Sequence, residues 1–248
     1  MDEKDWDDVA DSFEEEIFNV PANDRKGLIK ERIFRLGGKD RVAADLGCGV
    51  GRTLPWLADH FREVHAVDIS RKCLSIAQHK CARHHNITYV HADLSKGSGL
   101  QSPVDLVVSI NTLLNASLGK REAILEHTCG AVRKGGHLLL VVPSMESALL
   151  TSHKLVQWHR RSGLAPKVAE RKAWRGESRM DLGVVMIDDV PTKHHLREEM
   201  EELLTLQGLK VQEMLKIEYP WSTEFEEPSR TMREPYPWDW LVLAQRRK

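Results

Sequence analysis

Between residues 42 and 68 the chain carries, in order, a short apolar run (Val42 to Leu46), three glycines in five residues (Gly47, Gly49, Gly51), an amphipathic stretch from Arg52 to Phe61, and a second apolar run that ends on Asp68. Strand, glycine turn, helix, strand and acid is the layout by which an open α/β sheet holds a nucleoside. Glycine suits such a turn because positive φ and close backbone approach exclude a Cβ. Asp68 stands seventeen residues beyond Gly51, after Val64-His65-Ala66-Val67. A carboxylate there is placed to accept both hydroxyls of a ribose.

The glycine spacing narrows the ligand. A dinucleotide fingerprint reads G-x-G-x-x-G, with a pyrophosphate on the helix N-terminus. Here the run is Asp45-Leu46-Gly47-Cys48-Gly49-Val50-Gly51, G-x-G-x-G behind an aspartate. This form resembles motif I of the class I S-adenosylmethionine-dependent methyltransferases, whose ligand has no phosphate. The resemblance covers residues 40–145 closely and 195–248 in outline. It implies S-adenosyl-L-methionine as cofactor and a doubly wound seven-stranded sheet of order 3-2-1-4-5-7-6 with strand 7 antiparallel.

The pattern along the chain agrees with an α/β fold. Strands are expected at Val42–Leu46, Val64–Val67, Ile87–Val90, Val104–Ile110 and His137–Val142, with helices at 52–60, 70–83 and 120–133 between them; such alternation predicts a parallel sheet covered on both faces. Ser70 is a candidate N-cap, and Lys134-Gly135-Gly136 is expected to stop the third helix as a C′ glycine does. Residues 2–36 read as two helices broken near Val20-Pro21-Ala22-Asn23, the second capped by Asn23. After Pro143 come a helix from Ala148 to Arg160, a charged and turn-rich middle, an apolar run Val184–Ile187, a helix through Leu196, Met200, Leu203 and Leu204 closed by Gly208, and two last strands at Leu209–Ile217 and Trp240–Ala244. The expected organisation is one domain over 1–248: an N-terminal helical cap (1–38), a cofactor-binding core (39–144), a variable insertion over the substrate (145–190), and a C-terminal helix with strands (191–248).

Composition bounds the partners. A length of 248 residues suits one α/β domain, since such folds reach roughly 200–250 residues undivided. The formal net charge is −1, so no global field draws in nucleic acid or an anionic membrane. The cysteines Cys48, Cys73, Cys81 and Cys129 have neither metal-ligand spacing nor disulfide density, which fits a reducing cytosol. Met1 precedes an acidic stretch rather than a signal sequence, and no apolar run nears the ~20 residues of a spanning helix. The expectation is a cytoplasmic protein with no metal.

Each candidate residue carries two readings. Gly47, Cys48, Gly49 and Gly51 form the cofactor turn, or merely a tight strand-to-helix turn. By resemblance Asp45 serves the methionine end through water or backbone; a buried aspartate bracing the loop describes it equally. Asp68 serves ribose or caps the following helix. The resemblance also implies that Ile69 packs on adenine, that Asp93 accepts from the adenine amino group while the Leu94 N–H donates to the ring, and that Asn111 bonds near the methionine end. Asp93 also fits an Asx-turn before Ser95, and Asn111 a strand-end turn. Ser109-Ile110-Asn111-Thr112 is neither the Asn/Asp-Pro-Pro-aromatic of base and amide N-methyltransferases nor a Pro-Cys nucleophile. The linker 218–238 holds Tyr219, Trp221, Phe225, Tyr236 and Trp238 with four prolines. It reads as a lid over a flat or apolar acceptor, or as aromatics that pin the loop to the sheet edge.

Methyl transfer from a sulfonium is an in-line displacement that needs a base only when the acceptor holds its proton at working pH. His153, His194, His195 and Tyr219 are the candidates at the mouth. The expected function is methyl transfer to oxygen or nitrogen of a small molecule. The alternatives are a protein or RNA acceptor and a non-catalytic S-adenosylmethionine-binding protein. A nicotinamide oxidoreductase is disfavoured by the glycine spacing.

Overall fold

A computed structural model describes residues 2–173, 183–187 and 189–247. Its main sheet has seven strands: β1 (Gly38–Leu46), β2 (Phe61–Asp68), β3 (Ile87–His91), β4 (Val104–Ile110), β5 (Val132–Pro143), β8 (Leu209–Glu218) and β9 (Trp238–Arg246). The order is β3-β2-β1-β4-β5-β9-β8. β9 runs antiparallel to both neighbours and the other pairings are parallel. Setting aside the separate hairpin β6 (Val184–Ile187) and β7 (Val190–Lys193), this is the expected order, with the last strand reversed. The central strands β1, β4 and β5 are buried on both faces, which is why they read as continuous apolar runs.

Helices cover both faces. On one, Ala43, Val108, Val141 and Leu241 pack with Ile29, Ile33, Leu57 and Leu74 from α4 (Leu28–Leu36), α5 (Leu54–His60) and α6 (Arg71–Lys80). On the other, Ala44, Val107, Leu140 and Val242 meet Leu125, Met200 and Leu204 from α7 (Leu118–Gly130) and α10 (Arg197–Leu206). α8 (Met145–Arg161) follows β5, capped by Ser144, whose hydroxyl accepts from the Ser147 N–H at 3.1 Å. α9 (Pro166–Ala173) packs beside it. No helix among the described residues is long and apolar enough to cross a membrane.

Three local expectations are corrected. The N-terminal segment is not two helices but four short ones, α1 (Glu3–Asp8), α2 (Phe13–Glu16), α3 (Val20–Asn23) and α4. Asn23 lies inside α3; Gly27 occupies the cap of α4, where the Asp24 carboxylate accepts from the Ile29 N–H at 2.8 Å. The Lys134-Gly135-Gly136 turn does not end a helix. α7 stops at Gly130, and the glycines form an irregularity inside β5, where a Cβ on Gly136 would stand 2.8 Å from the Asp105 carbonyl oxygen. The apolar run Val184–Ile187 is half of a hairpin pinned to the β4–α7 loop by Lys193 N–H to Leu114 O at 2.9 Å. Part of the turn-rich middle of the 145–190 insertion lies outside the described residues.

Candidate cofactor and acceptor edge

All the parallel strands end at one edge, where the glycine loop emerges. The Gly47 and Cys48 N–H groups both donate to Val67 O, at 2.8 and 3.0 Å, which folds the loop back onto β2. Gly49 has φ +51°, and a Cβ there would lie 2.8 Å from the Phe13 ring. The Asp68 carboxylate stands beneath the loop. One oxygen accepts from the Gly49 N–H and the other from the Ser70 N–H, both at 2.8 Å. Asp68 therefore braces the loop and the start of α6 together, while the cap of α6 itself is Ser70, accepting from Cys73 at 3.0 Å. Burial raises the Asp68 pKa, and the backbone donors partly offset that. Each of its oxygens retains lone-pair capacity for a hydroxyl donor.

Asp45, on the same sheet face, is also buried; it accepts from the Thr53 hydroxyl. Burial pushes its carboxyl to about 7. The Cys48 thiol is buried and held protonated. Ile69 is half-buried beside Asp68, and its carbonyl lies 2.9 Å from His91 Nε2. Asp93 closes an Asx-turn, accepting from the Ser95 N–H at 2.9 Å and hydroxyl at 2.7 Å, with Lys96 3.0 Å from its other oxygen. Leu94 beside it is buried. Asn111 ends β4 with φ +53°, a conformation few non-glycine residues adopt, and its side-chain oxygen is buried without a partner. A buried acceptor with nothing to accept, a glycine cradle and a buried carboxylate with spare lone pairs under it suit a ligand that carries an ammonium and a diol.

The N-terminal segment lies over this cradle. Arg52, just after the loop, donates to the carbonyls of Phe13, Ile17 and Phe18 at 3.3, 2.9 and 3.1 Å and to Glu14 at 2.8 Å. Asp7 accepts from the Ser70 hydroxyl at 2.5 Å and the Lys72 N–H at 3.2 Å. Glu3 reaches His91 at 2.9 Å.

The candidate bases separate in space. His153 is exposed on α8 and lines a recess of about 290 Å³ with Trp158 and Met232. His194 turns its ring to the Thr192 carbonyl, and burial lowers its pKa. His195 lies at the sheet edge, its backbone bonded to Pro143 and Met145. Its Nε2 donates to Leu113 O at 3.1 Å, and burial lowers it to about 4. His195 thus ties the loop after β4, through its ring, to the end of β5, through its backbone. Tyr219 is buried, and its hydroxyl donates to Asp239 at 2.8 Å. Burial and the Asp239 charge push the phenol far above its usual range. Asp239 was missed from sequence; burial raises its carboxyl to about 7. The signal existed: in Trp238-Asp239-Trp240-Leu241-Val242-Leu243 the acid alternates with Leu241 and Leu243, so it faces inward.

Comparison with known proteins bears on the cofactor core. Residues 43–136 match Methyltransf_25, described as a methyltransferase domain. That span is a methyltransferase domain, and it lies within a sheet of the order the resemblance implied. A probable cobalt-precorrin-6B C(15)-methyltransferase (decarboxylating) of Methanothermobacter thermautotrophicus is 26% identical over 157 residues, 62% of this chain and 77% of that protein. The ribosomal RNA small subunit methyltransferase A of Syntrophus aciditrophicus is 31% identical over 58 residues, 23% of this chain and 21% of the relative. Among solved structures, the N-methyltransferase NodS of Bradyrhizobium japonicum WM9, in complex with S-adenosyl-L-homocysteine, superposes with TM-score 0.62 at 14% identity, covering 98% of this chain and all of that one. Within the methyltransferase domain, the glycine loop, Asp68 and Asn111 fall inside the matched span.

Proposed function

We propose that this methyltransferase transfers the methyl group of S-adenosylmethionine to a nucleophilic atom, oxygen or nitrogen, of a small molecule. The observation that carries the reading is the buried Asp68 carboxylate held between the Gly49 and Ser70 N–H groups at the mouth of the cradle. Asp68 takes the ribose hydroxyls, Ile69, Asp93 and the Leu94 N–H take the adenine, and Asn111 Oδ1 takes the ammonium of the methionine end. Asp45, through Thr53, keeps the loop in register. Bound there, the cofactor supplies an electrophilic methyl group on sulfur. The protein's part is to exclude water and align the acceptor, which is worth roughly 7–11 kcal/mol of barrier in well-oriented reactions.

A small acceptor is supported by the covered edge. Phe18 of the N-terminal segment meets Tyr219 of the C-terminal linker, ring centroids 4.9 Å apart, so the two segments close toward each other over the strand ends. The net charge of −1 gives a nucleic-acid backbone little to hold. The precorrin relative also acts, by its name, on a small molecule. The proposed organisation keeps 1–38 as cap, 39–144 as cofactor core, 145–190 as insertion and 191–248 as closing helix and strands. The test is transfer from methyl-labelled cofactor into a low-molecular-mass fraction of a metabolite extract. Label appearing only in protein or RNA would refute the small acceptor.

A further inference from the structure

Asn111 makes a left-handed turn at the end of β4, and its surroundings show what keeps it there. A non-glycine residue at φ +53° persists only where neighbouring contacts over-determine it. On the strand side, the Asn111 N–H donates to Val141 O at 3.0 Å. On the cradle side, the Ser109 hydroxyl donates to Leu46 O at 3.1 Å, so the Thr112 hydroxyl is the donor in its 2.5 Å contact with Ser109. The Thr112 methyl fills the place where a Cβ on Gly47 would stand. The loop after β4 is therefore seated directly on the glycine loop.

A third hold comes from a distant stretch of sequence. His195 is buried, with its Nε2 3.1 Å from Leu113 O. A carbonyl can only accept, so Nε2 carries the ring proton. Beside it the Lys193 N–H donates to Leu114 O at 2.9 Å, and Thr192 pairs with Asn115 across an isolated bridge. His195 is itself fixed at the end of β5: its N–H donates to Pro143 O at 2.8 Å, and its carbonyl accepts from the Met145 N–H at 3.0 Å. Its Nδ1 is buried without a hydrogen-bond partner. The Glu199 carboxylate, 3.7 Å from Nδ1, is occupied by Lys193 Nζ at 2.7 and 2.9 Å and by the Leu196 N–H at 3.2 Å. Burial lowers the ring's pKa, so it is neutral at cellular pH. With Nε2 committed to Leu113 and Nδ1 buried toward Glu199, the ring is not placed as a base. It holds a loop.

We propose that His195 is a positioning residue for the methionine end of the cofactor: through the Leu113 carbonyl it holds Asn111 in the turn that presents Oδ1 to the ammonium group. The inference rests on the reading of this edge as an S-adenosylmethionine site. Without ligand, Asn111 Oδ1 is buried with no partner, so the turn is kept against both backbone strain and desolvation. A loop released from Leu113 would relax both, and Oδ1 would leave the position from which it can make a charge-assisted bond. The effect falls on one half of the ligand. The residues proposed to hold adenine and ribose, Asp68, Ile69, Asp93 and Leu94, follow β2 and β3, on the other side of β1 from β4. His195 touches none of the contacts made there.

The test is calorimetry on the full chain with two probes: S-adenosylhomocysteine, and methylthioadenosine, which keeps the adenine, ribose and thioether but lacks the amino-acid end. His195→Leu removes the donor and is expected to weaken S-adenosylhomocysteine roughly tenfold or more, while methylthioadenosine binds within about twofold of wild type. His195→Gln offers an amide N–H near the position of Nε2 and should restore most of the loss. His195→Asn, too short to reach Leu113, should not. Asn111→Ala should show the same selective loss, and adding His195→Leu to it should weaken binding little further, because both changes act on one contact. If His195→Leu does not fold, the contrast between His195→Asn and His195→Gln carries the same comparison. Unchanged S-adenosylhomocysteine affinity in the folded variants, equal loss of both probes, no difference between the Gln and Asn variants, or additive losses in the double variant overturns the inference and leaves the cofactor reading intact. Binding of neither probe by the wild type strikes the cofactor reading itself, and the inference with it.

Discussion

Asp68 and Gly49 meet through one hydrogen bond, yet they fail differently when changed. Asp68→Ala should weaken S-adenosylhomocysteine binding by about 1.5–3 kcal/mol, the range for hydrogen bonds to a charged group, and some loosening of the loop will follow because the Gly49 and Ser70 N–H groups lose their acceptor. Calorimetry on the folded variant checks this; unchanged affinity removes Asp68 from the ribose site. Gly49→Val should abolish binding, since φ +51° is strained for a branched residue and its Cβ would press on Phe13. Asp45 and Asp239 give a pH signature of opposite sense to an ordinary salt-bridged acid. Both are raised to about 7 by burial, so between about 4 and 7 the folded chain keeps protons that the unfolded chain releases. Stability therefore falls as pH rises through that window and levels off above it. Asp239→Asn should flatten part of the fall, read as a smaller difference in Tm between pH 5 and pH 8. At this scale the glycine loop and Asp68 were legible because spacing alone defines them. Asp239 was not, because its role depends on Tyr219 arriving from another strand.

At the scale of elements, the N-terminal segment is held by polar ties more than by its own helices. α1 and α2 have six and four residues, too short to be stable alone, and Arg52 gathers the Phe13 carbonyl of α2 and the Ile17 and Phe18 carbonyls just after it, together with Glu14. Arg52→Ala should raise amide exchange across residues 3–18 and speed cofactor release, with little change in global unfolding. Protection equal to wild type would show that apolar packing of Phe13 and Trp6 holds the segment unaided. In the 218–238 linker the alternative of pinning is favoured for Trp221. It is buried, donates to Arg233 O at 3.1 Å and stacks with Phe225, which in turn meets Trp158 on α8. Trp221→Ala should cost about 3–5 kcal/mol in denaturant unfolding, as large-to-small changes of aromatics do. A loss below 1 kcal/mol would return Trp221 to the role of a mobile lid. The alternating strands and helices were legible from periodicity. The β5 irregularity was not, because Gly135-Gly136 reads alike as a helix stop and as a place where two backbones press together. The broken N-terminus and the β6–β7 hairpin were missed for a related reason: their conformation is set by tertiary ties rather than by local pattern.

Over the whole molecule, the sheet order, the reversed last strand and the methyltransferase domain agree with what the glycine run implied. The chain brings its N-terminal segment, glycine loop, β4 end and C-terminal linker to one edge, so the proposed cofactor site lies where four separated stretches of sequence converge. The central claim is that this edge is a cofactor cradle first. Calorimetry with S-adenosylhomocysteine and with NAD tests it most directly. The account predicts saturable one-to-one binding of S-adenosylhomocysteine, weakened about 10- to 150-fold in Asp68→Ala, and no heat from NAD. No binding of S-adenosylhomocysteine, or NAD binding that depends on Asp68, would contradict it.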